Sequence, residues 1–352
     1  MDTRIAEYDV EISRSSSRSS QSPAIIMESV HAVISRMRPV QPLTPGTYTW
    51  RVRATAPDGS PGPWSEAWEL TVRQPKNTIA LAADSTMMEM AQAFVQASAQ
   101  GDTLVTLAPG ARRVDPQGAT LFVNITNTHD VIVDGQGASL TFTSYLTFLY
   151  MHNCTRCSLR NVAFDLDPPP YAALHVTALT GDNATSPAFV AVLDPGHPEM
   201  ESNAGFAAPL IGGDLDTRLL RSKRGVTEVL YFSNWTRLNP GQPEPPQYRL
   251  DMQGPGYQGV AVGDTLYFDP RIDSGLRIEG GEDAVLYNVT VFSCANECFT
   301  SQHAEGLGIL ACNMLLKPGR FLAANNGGHN HHSARLGVWI DSNVFESTGD
   351  DM

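Results

Sequence analysis

Two periodicities divide this chain. Over residues 1–74 apolar and polar positions alternate, in YDVEIS (8–13) and more strongly in GTYTWRVRA (46–54), as they do along half-buried strands. Turn-forming clusters such as PDGSPGP (57–63) separate these runs. The pattern predicts a small β-sandwich over 1–74, closed by a linker from Gln74 to Asn77. The period then lengthens to that of a helix. Met87, Met90, Ala91, Phe94 and Val95 form one apolar stripe over 86–99, with Thr86 and Glu89 at capping-box spacing and Gly101 as a stop. After Gly101 strand-like runs return.

These later runs repeat. LRNVAF (159–164), LYNVTV (286–291), ACNMLL (311–316) and DSNVFE (341–346) each set an asparagine, Asn161, Asn288, Asn313 or Asn343, just before an apolar strand. Stacked at one inward turn, such amides would bond the next coil's backbone and fill a buried polar corner. The expectation is an all-β protein whose main body is a right-handed parallel β-helix over 78–167 and 274–352. The preceding helix caps its first coil, where a bare strand edge would invite aggregation. Between 168 and 273 the repeat is lost and short strand-like runs alternate with Pro/Gly loops, which predicts an inserted small β-barrel or sandwich. On this placement Asn288 is buried and its glycosylation sequon closed, and Asn313→Ala costs about 1–3 kcal/mol.

Composition narrows the function. A formal charge of −13 excludes nucleic acid and anionic membranes as partners, and it disfavours polyanionic sugars. No apolar run approaches the roughly 18 residues of a membrane span; the nearest, 140–151, is broken by Ser and Thr. No signal peptide opens the chain, yet sequons at Asn124, Asn153, Asn183, Asn234 and Asn288 point to a secreted protein whose leader lies outside it. Cys154, Cys157, Cys294, Cys298 and Cys312 read as buried thiols or as one or two disulfides, because a zinc site would need a second pair at finger-like spacing.

Three places offer chemistry. Asp350 and Asp351 follow a strand as adjacent carboxylates, the groups a glycosidase uses as acid and base, although neighbours on a strand face opposite ways and spacing alone favours a solvated turn. The Gly-rich loop 318–332 carries Arg320, Asn326 and His329, suited to sugar hydroxyls, and three histidines too poorly supported by other ligands for a metal. Asp165 and Asp167 precede three prolines and read first as turn residues. No P-loop or G-x-S-x-G elbow is present, and the reading calls for no metal or cofactor.

Two resemblances add to this. LTPGTYTWRVR (43–53), with Trp64 and the final ELTV (69–72), looks like a fibronectin type III domain, shortened at its start, with a spacer role as the plain alternative. VDGQGASLTF (133–142), RNVAFDLDP (160–168), GDTL (263–266), KPGR (317–320) and FESTGDD (345–351) resemble the glycoside hydrolases that act as exo-α-1,3-galactosidases. That resemblance implies a β-helix with barrel-like insertions and galactose-containing carbohydrate as substrate. It implies Asp350 and Asp351 as the paired base on water and His329 as the family's histidine. Asn326 stands where the acid belongs, and an amide donates no such proton. Activity is therefore lost or another carboxylate serves, and the chain stops where the family runs on through further coils. A polygalacturonase-like hydrolase and a non-catalytic carbohydrate-binding protein are the rival readings.

Overall fold

A computed structural model describes residues 7–14, 25–31, 43–200, 207–210, 230–242, 244–268, 271 and 275–348. The chain divides into two compact units, Met1–Pro75 and Lys76–Met352. In the first, β1 (Glu7–Arg14), β2 (Ile25–His31), β3 (Gly46–Thr55) and β4 (Trp68–Val72) form one antiparallel sheet in the order β2-β1-β3-β4. The alternation has its expected effect. Val10, Ile12 and Tyr48 are buried on one face, while Arg51–Glu11 and Arg53–Asp9 ion pairs occupy the other. Trp64 lies against both guanidinium groups, 4.6 and 4.5 Å from its ring centroid. The second sheet that a sandwich requires is not found among the described residues.

The second unit begins with β5 (Asn77–Leu81) and α1 (Met87–Gln100), then β6 (Thr103–Leu107), β7 (Gly110–Val114), β8 (Leu121–Thr126), β9 (Val131–Phe142), β10 (Thr147–His152) and β11 (Ser158–Leu166). The capping box of α1 forms as read, with Thr86 and Glu89 bonded reciprocally. Its buried stripe is Met87, Met90, Ala93, Phe94 and Ala97, so the helix is rotated from the predicted face and Val95 is exposed. Phe94 meets Phe122 edge-on at 5.5 Å and closes the apolar lumen at this end.

From β8 onward the chain alternates between two parallel sheets, each strand pairing with its counterpart one coil later. After the insertion the alternation resumes through β18 (Leu276–Glu279), β19 (Val285–Val291), β20 (Phe299–Gln302), β21 (Gly308–Leu310), β22 (Asn313–Met314), β23 (His329–His332), β24 (Trp339–Asp341) and β25 (Val344–Phe345). That topology is a parallel β-helix. Its lumen holds a run of aromatic side chains, with Phe148 stacked on Phe164 at 4.9 Å and both near Phe142.

Each coil bends at residues with positive φ, and these fall in columns. One runs Asn127, Asn153, Gly280, His303, Ser333; a second Asp102, Asp130, Arg156, Asp283, Gly306, Gly337; a third Asn161, Asn288, Ala311, Ser342. The third corrects the asparagine repeat. Asn161 and Asn288 share it, bonded through Asn288 Nδ2 to Asn161 Oδ1 at 3.0 Å, but Asn313 pairs with Thr290 and Asn343 aligns with Cys312. What the column demands is a left-handed backbone, which Asn favours but Ala311 and Ser342 also adopt. The ladder also faces outward: Asn288 is exposed rather than buried, so its sequon is sterically open. Only Asn343 makes the backbone bonds expected of the repeat, accepting from the Cys312 N–H at 2.6 Å and donating to the Ile309 carbonyl at 2.8 Å.

The insertion comprises β12 (Ala172–Asp182), β13 (Ser186–Leu193), β14 (Ala207–Leu210), β15 (Phe232–Arg237), β16 (Gln247–Met252) and β17 (Thr265–Phe268), one antiparallel sheet in the order β14-β17-β12-β13-β16-β15. No pairing joins β14 to β15 among the described residues. Tyr171 at its base is buried with Phe321 and Leu322, and its hydroxyl accepts from the Phe321 N–H at 2.7 Å. All five cysteines are buried free thiols.

The column analysis predicts that Asn343→Ala leaves the Cys312 N–H and the Ile309 carbonyl unpaired and costs about 1–2 kcal/mol in urea unfolding. Asn161→Val, which forces a β-branched residue to φ 54°, costs a similar amount or more, and Asn161→Gly recovers most of it. Equal losses for Val and Gly would show that backbone conformation is not what the column selects.

Candidate functional site

The turns that lead from the long sheet back to the short one gather most of the unusual polar groups. Asp165, near the end of β11, has a side chain only 2% exposed, because Ser293 and the loop 317–320 from later coils close over it. Its carboxylate accepts from Lys317 Nζ at 2.5 Å, Arg320 Nη1 at 2.5 Å, Ser293 Oγ at 2.8 Å and the Leu166 N–H at 2.9 Å. Arg320 also donates to the Leu166 carbonyl, and the Lys317 ammonium sits 4.6 Å from the Phe292 ring centre. With every lone-pair direction used, a buried carboxylate here is tolerable; stripped of partners it would not be.

Beside this cluster lies a cleft of about 540 Å³. β7 contributes Arg112 and Arg113 to it, opposite Lys317 and Arg320. Arg113 pairs with the half-exposed Asp167 at the rim. Arg112, in register with the inward Leu140, turns its guanidinium away from Arg113 toward the start of α1, where it donates to the carbonyls of Ala82 and Ala83, each at 3.0 Å, and to Met90 Sδ at 3.8 Å, and burial pulls it below the ordinary arginine value. Sequence reading missed this basic surface because its members come from residues 112–113 and 317–320, and the net charge of the chain pointed the other way.

Further along the same turns, the bridges Cys294–Ala324 and Ala324–Thr348 hold three coils in register. Asn326 Nδ2 donates to Asn296 Oδ1 at 3.0 Å and Asn326 Oδ1 accepts from Arg271 at 3.2 Å. Asn330, on β23, donates through Nδ2 to Glu297 Oε1 at 2.5 Å. These amides and one carboxylate form a half-buried polar column on the flank of the helix.

The predicted site residues part company. Arg320 is committed to Asp165. Asn326 belongs to the amide column. His329 is not a loop ligand but an inward residue of β23, packed against Phe299 and against Phe345 at 4.0 Å. Its Nδ1 meets His331 Nε2 at 3.0 Å, and His331 Nδ1 meets Ser301 Oγ at 2.8 Å. Burial pushes His329 down to about 4 and lowers His331 as well. No His/Cys/Asp/Glu group able to hold a metal occurs among the described residues. Asp350 and Asp351 lie outside the described residues. Asp165, Ser293, Glu297 and Asn296 are functional candidates that the structure adds; in sequence Asp165 reads first as a turn residue and the other three carry no signal.

Fold and site together define a class: a parallel β-helix protein with an ion-paired cleft and an amide column on one set of turns. The chain matches no family model and no curated protein. Among solved structures, a family 28 exopolygalacturonase from Yersinia enterocolitica aligns with 91% of this chain and 50% of its own, at 12% identity and a TM-score of 0.40. The chain thus spans about half the length of that protein.

Two outcomes follow. Asp165→Ala leaves two cations facing each other in a largely closed space and destabilises the protein by about 3–5 kcal/mol in chemical denaturation. The buried histidines impose an acid limit. Unfolded histidine binds its proton near pH 6.5 whereas folded His329 does so only near 4, so stability is complete above about pH 6.5 and falls as pH drops from there toward 4. His329→Phe flattens that decline in melting temperature; an unchanged slope would place its origin elsewhere.

Proposed function

We propose that this chain is a carbohydrate-active β-helix protein that holds a saccharide against Asn296, Glu297, Asn326 and Asn330. The observation that supports the reading is the register of these side chains. Planar amides and a carboxylate from two adjacent coils come together at one half-buried place, and such side chains offer both donors and acceptors to sugar hydroxyls. The exposed sequon asparagines Asn153, Asn183, Asn234 and Asn288 suit a secreted protein.

Hydrolysis is the activity we assign first. An inverting glycosidase needs one carboxyl group to protonate the leaving oxygen and a second to activate water. In this proposal Asp350 and Asp351, which follow the bridged residue Thr348 in sequence, supply the base, and Glu297 is the carboxyl group available in the column as acid. Asn326 is held through both amide atoms and donates no catalytic proton. Between the neutral α-1,3-galactoside and the acidic, polygalacturonase-like substrate, the cationic cleft on the same turns favours the acidic one. Non-catalytic binding is the remaining form of the same reading.

The test is a panel of aryl α-galactosides, α-1,3-linked digalactose and polygalacturonate presented to the full chain. The expected result is release of reducing ends from polygalacturonate in preference to the other two. Glu297→Gln and Asp350→Asn should each lower turnover by about 10²-fold or more. Binding without turnover leaves a carbohydrate-binding protein, preferred cleavage of the digalactose restores the galactosidase reading, and no interaction with any glycan ends the carbohydrate reading.

A further inference from the structure

Four of the five buried thiols fall into two pairs, each pair inside a single bend of the coil. Cys154 and Cys157 flank Thr155 and Arg156. Arg156 takes φ 53° and its guanidinium pairs with Asp130, while Thr155 is bridged to His129 on one side and Glu282 on the other. With these two middle residues fixed by neighbouring coils, both cysteines turn into the lumen, where they are 2% and 0% exposed. Cys157 Sγ folds back over the bend and donates to the Thr155 carbonyl at 3.7 Å. The two thiols are also hydrogen-bond partners, which lowers Cys154 and raises Cys157. The second bend repeats the arrangement. Cys294 is bridged to Ala324, and the Cys298 N–H donates to the Gly327 carbonyl at 3.0 Å. Cys294 Sγ reaches across to the Glu297 carbonyl at 3.3 Å, beside the Cys298 thiol to which it is also bonded. Cys312 is close enough to act on Cys298 electrostatically but belongs to another bend, where its Sγ donates to the Leu310 carbonyl at 3.5 Å.

We propose that Cys154–Cys157 and Cys294–Cys298 are oxidation sites, each closing to a disulfide within its own bend when the chain folds in an oxidising compartment, with Cys312 left as the odd thiol. The oxidant is another disulfide, of glutathione or of a thiol oxidoreductase. One cysteine of a pair attacks it as thiolate to form a mixed disulfide, and the partner then attacks the cysteine sulfur of that bond. Two protein S–H bonds and the oxidant's S–S bond break, one protein S–S bond and two oxidant thiols form, and two electrons pass to the oxidant. Locality sets the timing. The partners lie a few residues apart, so a pair meets as soon as its bend forms and before later coils stack over it. Once the coils have stacked, the lumen shuts out oxidant and reductant alike, and the redox state set during folding is kept. The proposal is independent of the carbohydrate reading and uses secretion only as the source of the oxidising compartment.

The experiment makes the full chain twice, in a reducing cytosol and by export through an oxidising compartment. Each product is denatured in guanidinium chloride with N-ethylmaleimide present, and the adducts are counted by mass. The expected counts are five for the cytosolic chain and one for the exported chain, with a non-reducing peptide map joining 154 to 157 and 294 to 298. The folded cytosolic chain held with oxidised glutathione should keep its five thiols, and the folded exported chain held with dithiothreitol should keep its one; exchange in either would overturn the locking. Exported Cys154→Ser should carry two adducts, on Cys157 and Cys312, whereas none would show Cys157 pairing elsewhere and would overturn the local rule. Five adducts on the exported wild-type chain would overturn the proposal, three would remove one pair, and a link between Cys298 and Cys312 would overturn the second pair.

Discussion

The β-helix depends on one backbone constraint: at fixed points in each coil a residue must enter the left-handed region. For most L-residues that conformation is costly, and here it is met by Asn, Asp, Gly, Ser and, at single points, Arg156, His303 and Ala311. Because the points recur at the same places, each strand lands beside its counterpart, and side chains one coil apart become neighbours. The Asn161–Asn288 and Asn127–Asn153 amide pairs, and the Arg156–Asp130 ion pair, are consequences of that stacking as much as causes of it.

This constraint explains what the sequence made legible. The capping box at Thr86 and Glu89 is a local chemical pattern and reads directly. The coil repeat is visible through Asn161 and Asn288 because asparagine is favoured at left-handed positions, and it slips at Asn313 and Asn343 because Ala311 and Ser342 satisfy the same backbone demand without an amide. A reader following side-chain identity loses the register that φ retains. The rotation of α1 has a similar origin: alanines at 93 and 97 let the helix pack close to the lumen, and a stripe drawn through Ala91 and Val95 overlooks them.

The candidate site was the less legible part. Its residues are ordinary in sequence and become unusual only when turns from different coils meet. Asp165 precedes three prolines and looks like a turn former; its burial follows from a loop more than 150 residues later. His329 illustrates the converse. A Gly-rich, histidine-bearing stretch suggests a flexible ligand loop, yet the glycines deliver the chain into a strand and the imidazole turns inward among phenylalanines. Electrostatics divides in the same way, with an acidic chain overall and cations gathered locally around Asp165.

The separation of Asp165 from its partners also has a consequence during synthesis. Arg320 lies 155 residues beyond Asp165. At ordinary elongation rates that stretch takes on the order of ten to thirty seconds to emerge. Throughout that interval the first coils can stack, but the carboxylate at their edge has neither Lys317 nor Arg320 to meet it and must remain hydrated. The final closure of that edge therefore waits for residues 317–320, after the insertion and two more coils have been made, and the ion cluster joins the early coils to the later ones.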